Sequence, residues 1–126
     1  MPTPGIFTGK DSLQQFFNFL SSNSFSMIFV LVDENTLEYC YPKIEPQLPK
    51  HSLIQILSGE ENKTLTTCET VWQKLTNENA DRNSLLINLG GGVIGDLGGF
   101  AAGCYKRGIK FVNVPTTLLA MVDASV

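Results

Sequence analysis

Short, mostly apolar segments alternate along this chain with longer segments in which apolar residues recur at helical spacing. The short segments are typical of buried strands and predict strands at residues 27–32, 52–57, 85–89 and 110–114. The longer segments predict helices at residues 11–22, 35–41, 64–79, 94–107 and from 116 onward. Pro42 is expected to stop the second helix, so that a proline-rich connection follows to Pro49.

Strands that alternate with helices of these lengths predict βαβ units. We therefore expect an α/β fold, with a Rossmann-like, mostly parallel sheet that carries helices on both faces. Ligands of such sheets bind outside the carboxyl ends of the strands. We expect all the loops discussed below to lie at those ends.

Composition narrows the classes of partner. Of the 126 residues, 43% are hydrophobic and 17% are charged, as in ordinary globular proteins, and the net charge is −3. No basic run exceeds the pair Lys106 and Arg107, so a nucleic-acid partner is not expected. We also expect neither a membrane span nor a secretory signal.

The thiols and the histidine argue against a metal site in these residues. The cysteines Cys40, Cys68 and Cys104 are irregularly spaced, which favours free thiols in a reducing cytoplasm over a disulfide framework or a zinc ribbon. His51 has no second histidine near it, whereas a catalytic zinc takes three protein ligands. We expect no metal ligands in this chain.

The segment after the third strand carries most of the functional information. Residues 90–96 read GGGVIGD, and glycines allow a tight turn whose backbone amides can approach a ligand. A helix that begins there adds the positive end of its dipole, which predicts a phosphate-binding turn. The string fits the dinucleotide pattern GxGxxG, but it follows the third strand instead of the first, and residues 110–115 contain no acid.

Polar side chains also follow the first two strands. Asp33 could accept both hydroxyls of an adenosine ribose, or it could simply cap the next helix. Glu60 and Lys63 could bind a ribose hydroxyl and a phosphate, or they could form a solvated pair. The residues alone leave these alternatives open, and for Glu60 and Lys63 they favour the solvated pair.

The helix after the glycines raises two further expectations. Gly98, Gly99 and Gly103 inside it indicate a closely packed neighbour, more often protein than ligand. Asp96 in its first turn suits ribose hydroxyls or an amide better than a phosphate placed too near.

The residues beyond this helix are consistent with capping. Lys106 and Arg107, followed by Gly108, are typical of a helix C-terminus. Thr116 and Thr117 would begin the last helix with two hydroxyls and free N–H groups, which is a second possible phosphate site.

Together these segments resemble the N-terminal, NAD-binding portion of the 3-dehydroquinate synthase family of sugar-phosphate cyclases. The similarity is strongest from residue 89 onward and is carried by GGGVIGDL at 90–97, RGI at 107–109, VPTTLLA at 114–120 and VDASV at 122–126. Residues 1–83 match loosely, mainly at 33–35, at 59–60 and at Lys63.

The resemblance implies NAD as the cofactor and assigns residues to it. Those implied to bind NAD are Asp33, Asn35, Gly59, Glu60, Lys63, Gly91, Gly92, Val93, Ile94, Gly95, Asp96, Thr116 and Thr117. Asp123 would lie where the cofactor meets the substrate. Arg107 would bind the substrate phosphate of the neighbouring subunit, which implies a homodimer.

In that family, 3-deoxy-arabino-heptulosonate 7-phosphate is converted into 3-dehydroquinate and phosphate, in the shikimate pathway to the aromatic amino acids. The reaction uses NAD and a divalent metal, zinc or cobalt. The resemblance implies that residues 1–126 form the N-terminal NAD-binding domain of a longer protein. The metal ligands would then lie in a helical C-terminal domain, and residues 1–126 alone would be catalytically silent.

Three alternatives remain open. An inosose-forming or valiolone-forming cyclase would share the NAD-binding half. A polyol dehydrogenase of the glycerol type would have a similar two-domain plan. A stand-alone nucleotide-binding module without chemistry is the alternative from a different class.

Overall fold

The computed structural model describes residues 12–116. Along the chain the helices and strands are α1 (Ser12–Ser22), β1 (Ile28–Asp33), α2 (Glu34–Tyr39), α3 (Tyr41–Ile44), β2 (Ser52–Ile56), α4 (Leu65–Asn77), β3 (Leu85–Leu89), α5 (Gly92–Cys104) and β4 (Lys110–Val114). Turns of 3₁₀ helix lie at Glu45–Gln47, Glu60–Asn62 and Tyr105–Arg107. The predicted α/β fold is confirmed.

The strands form a parallel sheet in the order β2-β1-β3-β4. After β1 the chain therefore adds β2 on one side of that strand, and it then crosses back to add β3 on the other side of β1. This reversal makes the gap between the ends of β1 and β3 a topological switch point, where sheets of this kind bind ligands.

Two apolar layers cover the sheet because alternate residues of each strand face opposite sides. On one side, Phe16 of α1 and Ile44 of α3 pack with Val30. On the other side, α4 and α5 pack with Phe29 and Leu31. Burial on both faces explains why β1 and β3 are almost continuously apolar in sequence.

The main differences from the predicted elements lie at helix ends. Helix α2 ends at Tyr39, and a second helical turn, α3, begins at Tyr41 with Pro42 in its first turn. Proline is tolerated there because its missing N–H would have no helical acceptor, so Pro42 begins a helix instead of stopping one. Helix α5 covers Gly92–Cys104 instead of 94–107, and of the predicted last helix only Thr116 lies within the described residues.

Candidate functional site

The loops after β1, β3 and β4 meet at Gly90. Its N–H donates to the carbonyl of Val114 at 3.1 Å. With φ at +153°, Gly90 has a conformation that side chains disfavour, and a Cβ there would lie 3.0 Å from Ile94 Cγ2 and 3.2 Å from Thr36 Cγ2. Gly90 is therefore needed to bring the carboxyl ends of these strands together.

Gly91 and Gly92 differ from Gly90, because nothing in the described chain lies within 4 Å of a Cβ built on either. Both are exposed, and helix α5, which begins there, is capped by no side chain of the described residues. The first helical hydrogen bond runs from Gly95 N–H to Gly91 O at 3.1 Å, so the amides of 92–94 have no helical acceptor. Packing within residues 12–116 does not require glycine at these two positions, whereas the approach of an anionic ligand to the free amides would.

Asp33 caps helix α2, as one of its two sequence interpretations predicts. Its Oδ1 accepts the backbone N–H groups of Asn35 and Thr36, both at 2.9 Å, and the Thr36 hydroxyl accepts the Asp33 N–H at 3.0 Å. These bonds use one carboxylate oxygen and leave Oδ2 without a hydrogen bond among the described residues. Capping and a ribose contact are thus compatible at Asp33.

The loop after β2 is attached to the loop after β1 through Ser58. Glu34 Oε1 accepts the Ser58 N–H at 2.8 Å, and Glu34 Oε2 accepts the Ser58 hydroxyl at 2.7 Å. The hydrogen bond from the Ser58 hydroxyl is the largest cause that lowers the pKa of Glu34. Asn35 Nδ2 also donates to the Ser58 hydroxyl, at 3.4 Å.

Lys63 joins this loop to helix α5. Its Nζ lies 3.5 Å from Glu60 Oε1 and 3.2 Å from Asp96 Oδ2, and the hydrogen bond to Asp96 is the largest cause that raises the pKa of Lys63. The predicted pair with Glu60 is present, but the structure adds a contact across 33 residues. Because Lys63 offsets the charge of Asp96, a diphosphate at the start of α5 would meet less repulsion than the sequence suggested.

The glycines within α5 have mostly structural causes. A Cβ on Gly98 would lie 2.7 Å from Asn88 Nδ2, and one on Gly99 would lie 3.3 Å from Phe111, so the predicted close packing is confirmed at both positions. It is wrong at Gly103, where nothing lies within 4 Å among the described residues.

Gly95, which the resemblance assigns to the cofactor, also faces protein. A Cβ there would lie 3.4 Å from Asn113 Oδ1, and its N–H is already bonded within the helix. The Ile94 side chain is buried in the core between α5 and the sheet, so at that position only the backbone can meet a ligand.

Arg107 lies away from the glycine turn, at the opposite end of the sheet, where the strands begin. It precedes β4, whereas ligand loops follow strands, so the expectation that all these loops lie at the carboxyl ends is wrong for Lys106 and Arg107. Neither residue ends α5, because both lie in a 3₁₀ turn with left-handed φ values of 45° and 73°. Gly108, at φ +103°, ends that turn instead.

Thr116 lies directly after β4 and is exposed. It is therefore at the carboxyl ends of the strands, as the glycine turn is. The predicted contacts of Thr117 and Asp123 lie outside the described residues. Between residues 12 and 116, no group of three or more His, Cys, Asp and Glu side chains could hold a metal ion. No helix in that range has both the length and the apolar character needed to cross a bilayer.

The side chains that join the loops and strands behind the site could not be predicted from the sequence. Glu34 and Ser58 were visible only as a helix-start acid and a strand-end serine. Asn88 was the stronger signal, because it is a polar residue in the centre of an apolar strand. In the structure it is fully buried, and its Nδ2 donates to Asn113 Oδ1 at 3.0 Å.

A family profile described as 3-dehydroquinate synthase N-terminal matches residues 53–126, more than half of the chain. The chain belongs to this family.

Curated relatives named 3-dehydroquinate synthase agree. One from Parabacteroides distasonis is 46% identical over 119 residues, which are 93% of this chain and 34% of the relative. Another from Clostridium tetani is 39% identical over 123 residues, 96% of this chain and 33% of the relative. The chain thus spans about a third of the length of the curated relatives it matches.

Solved structures of two cyclases share the fold. A 2-deoxy-scyllo-inosose synthase complexed with carbaglucose-6-phosphate, NAD+ and Co2+ is 26% identical with a TM-score of 0.71, over 88% of this chain and 32% of that protein. A 2-epi-5-epi-valiolone synthase from Streptomyces hygroscopicus, with NAD+ and Zn2+ bound, is 22% identical with a TM-score of 0.66, over 100% and 36%. The second likeness concerns the fold alone.

Proposed function

We propose that this chain is the NAD-binding part of a 3-dehydroquinate synthase, which converts 3-deoxy-arabino-heptulosonate 7-phosphate into 3-dehydroquinate and phosphate. The observation that carries the proposal is the glycine turn at the switch point of the sheet. There Gly91 and Gly92 leave open space in front of amides that have no hydrogen-bond partner among residues 12–116. The 46% identity to a protein named 3-dehydroquinate synthase favours this cyclase over the inosose and valiolone types.

The geometry supports a division of labour within the site. The amides of 92–94 would bind the diphosphate of NAD, because they combine free N–H groups with the helix dipole. Asp33 Oδ2 would accept adenosine ribose hydroxyls while Oδ1 stays bonded to the helix. Lys63 would exchange part of its ion pairing for a phosphate oxygen, and Asp96 and Thr116 would face the nicotinamide half.

When bound, NAD supplies an acceptor that takes a hydride from the substrate and later returns it. The residues of this chain would contribute position and electrostatics to that chemistry. Thr117 and Asp123 are proposed to extend the site toward the substrate. The divalent metal, zinc or cobalt, is proposed to bind outside this chain.

Arg107 is proposed to serve a second subunit. It lies where the strands begin, at the end of the sheet opposite the glycine turn, so its side chain is too far away to contact a ligand in the site of its own chain. It also holds a left-handed conformation, φ 73°, without being a glycine, and such strain is concentrated at functional positions. A homodimer in which Arg107 contacts the sugar phosphate bound by the partner subunit accounts for both features.

Calorimetric titration with NAD+ tests the proposal. Gly91→Leu places a side chain in the space before the amides and should weaken binding at least about tenfold, equivalent to about 1.4 kcal/mol. Its unfolding transition should stay near that of the wild type, because a Cβ there meets no atom within 4 Å in the part of the chain that the structure describes.

Gly103→Ala is the matched control, since it also fills open space in α5 but at the far end, and it should bind NAD+ normally. Wild-type affinity in Gly91→Leu would show that the glycine turn is not the binding site. Residues 1–126 alone should release no phosphate from the sugar phosphate.

A further inference from the structure

We propose that Glu34 is a positioning residue for NAD binding, which acts by holding Ser58 and thereby the loop that carries Glu60 and Lys63. This inference rests on the proposed function, because it concerns how the same site is assembled.

The contact between Glu34 and Ser58 is specific in geometry. One carboxylate oxygen accepts the backbone N–H of Ser58 at 2.8 Å, and the other accepts its hydroxyl at 2.7 Å. Hydrogen bonds to an ionised acceptor are stronger than neutral ones. An acid that merely complemented the helix dipole at the start of α2 would not need both oxygens on one residue 24 positions away.

Ser58 passes this constraint to the rest of its loop. Its carbonyl accepts Asn62 Nδ2 at 2.8 Å. The loop is closed by hydrogen bonds from Asn62 N–H to Gly59 O and from Lys63 N–H to Glu60 O, each at 3.0 Å. Residues 58–63 therefore form one hydrogen-bonded unit, and Glu34 fixes its first residue.

The unit needs such an anchor because, apart from its covalent link to α4, its ionic contact with the rest of the described chain is weak. Gly59, at φ +109°, turns the chain sharply away from β2, so the direction of residues 60–63 depends on how Ser58 is held. At the far end, the ion pair of Lys63 with Asp96 is mostly exposed, and exposed pairs contribute little to order. Asp33 and Asn35 flank Glu34, so the anchor also sets the distance between these two residues and the loop of residues 58–63.

The test compares NAD+ affinities of variants of this chain. Glu34→Ala should weaken binding about tenfold, the scale expected for losing charged hydrogen bonds that order a binding loop. In a background that carries Glu60→Ala and Lys63→Ala, the same change should have less than about a twofold effect, because the loop no longer carries ligand groups. A residue with only a general structural role would weaken binding equally in both backgrounds.

Conservative variants separate position from charge. Glu34→Gln can still accept the Ser58 N–H and donate to its hydroxyl, so it should bind NAD+ within about threefold of the wild type. Glu34→Asp keeps the charge but shortens the reach by one methylene, and it should weaken binding even if Glu34→Ala fails to fold. Glu38→Ala removes an exposed carboxylate from the same helix, where the described residues give it no hydrogen bond, and it should have no effect.

The failures of the two proposals are distinguishable. If the wild type does not bind NAD+, the proposed function itself is overturned. If the wild type binds and Glu34→Ala or Glu34→Asp binds equally well, only the positioning role is overturned. An equal loss from Glu34→Ala in both backgrounds would overturn the positioning role as well.

Discussion

Replacing Gly98 by alanine should destabilise this protein, although alanine is the better helix former. Gly98 lies in the middle of α5, directly over Asn88 of β3. A Cβ there would lie 2.7 Å from Asn88 Nδ2 and closer still to the rest of that amide. Asn88 has no room to retreat, because it is fully buried and bonded to Asn113.

The magnitude follows from three opposing effects. Alanine in place of glycine inside a helix favours folding by about 0.8–1.0 kcal/mol. Overpacking a closed core costs about 1–3 kcal/mol. Displacing Asn88 would break its bond to Asn113, at about 1–3 kcal/mol for buried groups left unpaired. The net expectation for Gly98→Ala is a loss of about 1–5 kcal/mol in the free energy of unfolding.

The sign should reverse when Asn88 is removed. In an Asn88→Ala background the space above β3 is open, so Gly98→Ala should stabilise by up to about 1 kcal/mol. Urea unfolding followed by fluorescence suits this test, because the one tryptophan, Trp72, donates its Nε1–H to Ala101 of α5 at 2.9 Å. Gly103→Ala, in open space on the same helix, should be neutral or stabilising.

Two results would refute this reasoning. If Gly98→Ala were as stable as Gly103→Ala, the close approach of α5 to β3 would be wrong. If Gly98→Ala were destabilising to the same extent with and without Asn88, the cause would lie elsewhere than in this contact.

Two further predictions concern acid and strain. Hydroxyl groups of Ser26 and Ser52 are the largest causes that lower the pKa of Asp81 and Glu78, from ordinary values of 3.8 and 4.5. The ionised carboxylates of Asp81 and Glu78 therefore stabilise the folded protein above pH 4.5. This stabilisation is lost as the pH falls through their lowered pKa values in the folded state. The urea concentration at the midpoint of unfolding should fall as the pH is lowered, and it should fall less steeply in Ser26→Ala than in the wild type. Equal slopes in the two proteins would contradict the role of Ser26 in lowering the pKa of Asp81. Arg107→Gly should leave the free energy of unfolding unchanged or raise it by up to about 1 kcal/mol. Glycine adopts the left-handed backbone conformation without strain, but it loses more conformational entropy on folding. A clear loss of stability in thermal unfolding would show that the Arg107 side chain supports the fold.

Much of the architecture could be predicted from local pattern. The strands 85–89 and 110–114 lie where their apolar runs predicted, and the parallel order follows from the intervening helices. The ends of α2 and α5 could not be predicted in this way. At Tyr41 the chain passes from α2 into a second helical turn with Pro42 in its first turn, and at Tyr105 it passes from α5 into a 3₁₀ turn, although in both places the apolar pattern continues.

The sequence by itself determined the elements and the glycine turn, because both depend on side-chain volume and backbone freedom that each residue carries with it. Only the tertiary structure decided which polar groups meet: Glu34 with Ser58, Lys63 with Asp96, and Asn88 beneath Gly98. It also separated Arg107 from the glycine turn. In a parallel sheet, a loop that precedes a strand and a loop that follows one lie at opposite ends of the strands. These pairings join residues distant along the chain, and the sheet order that brings them together is set by packing of the whole domain.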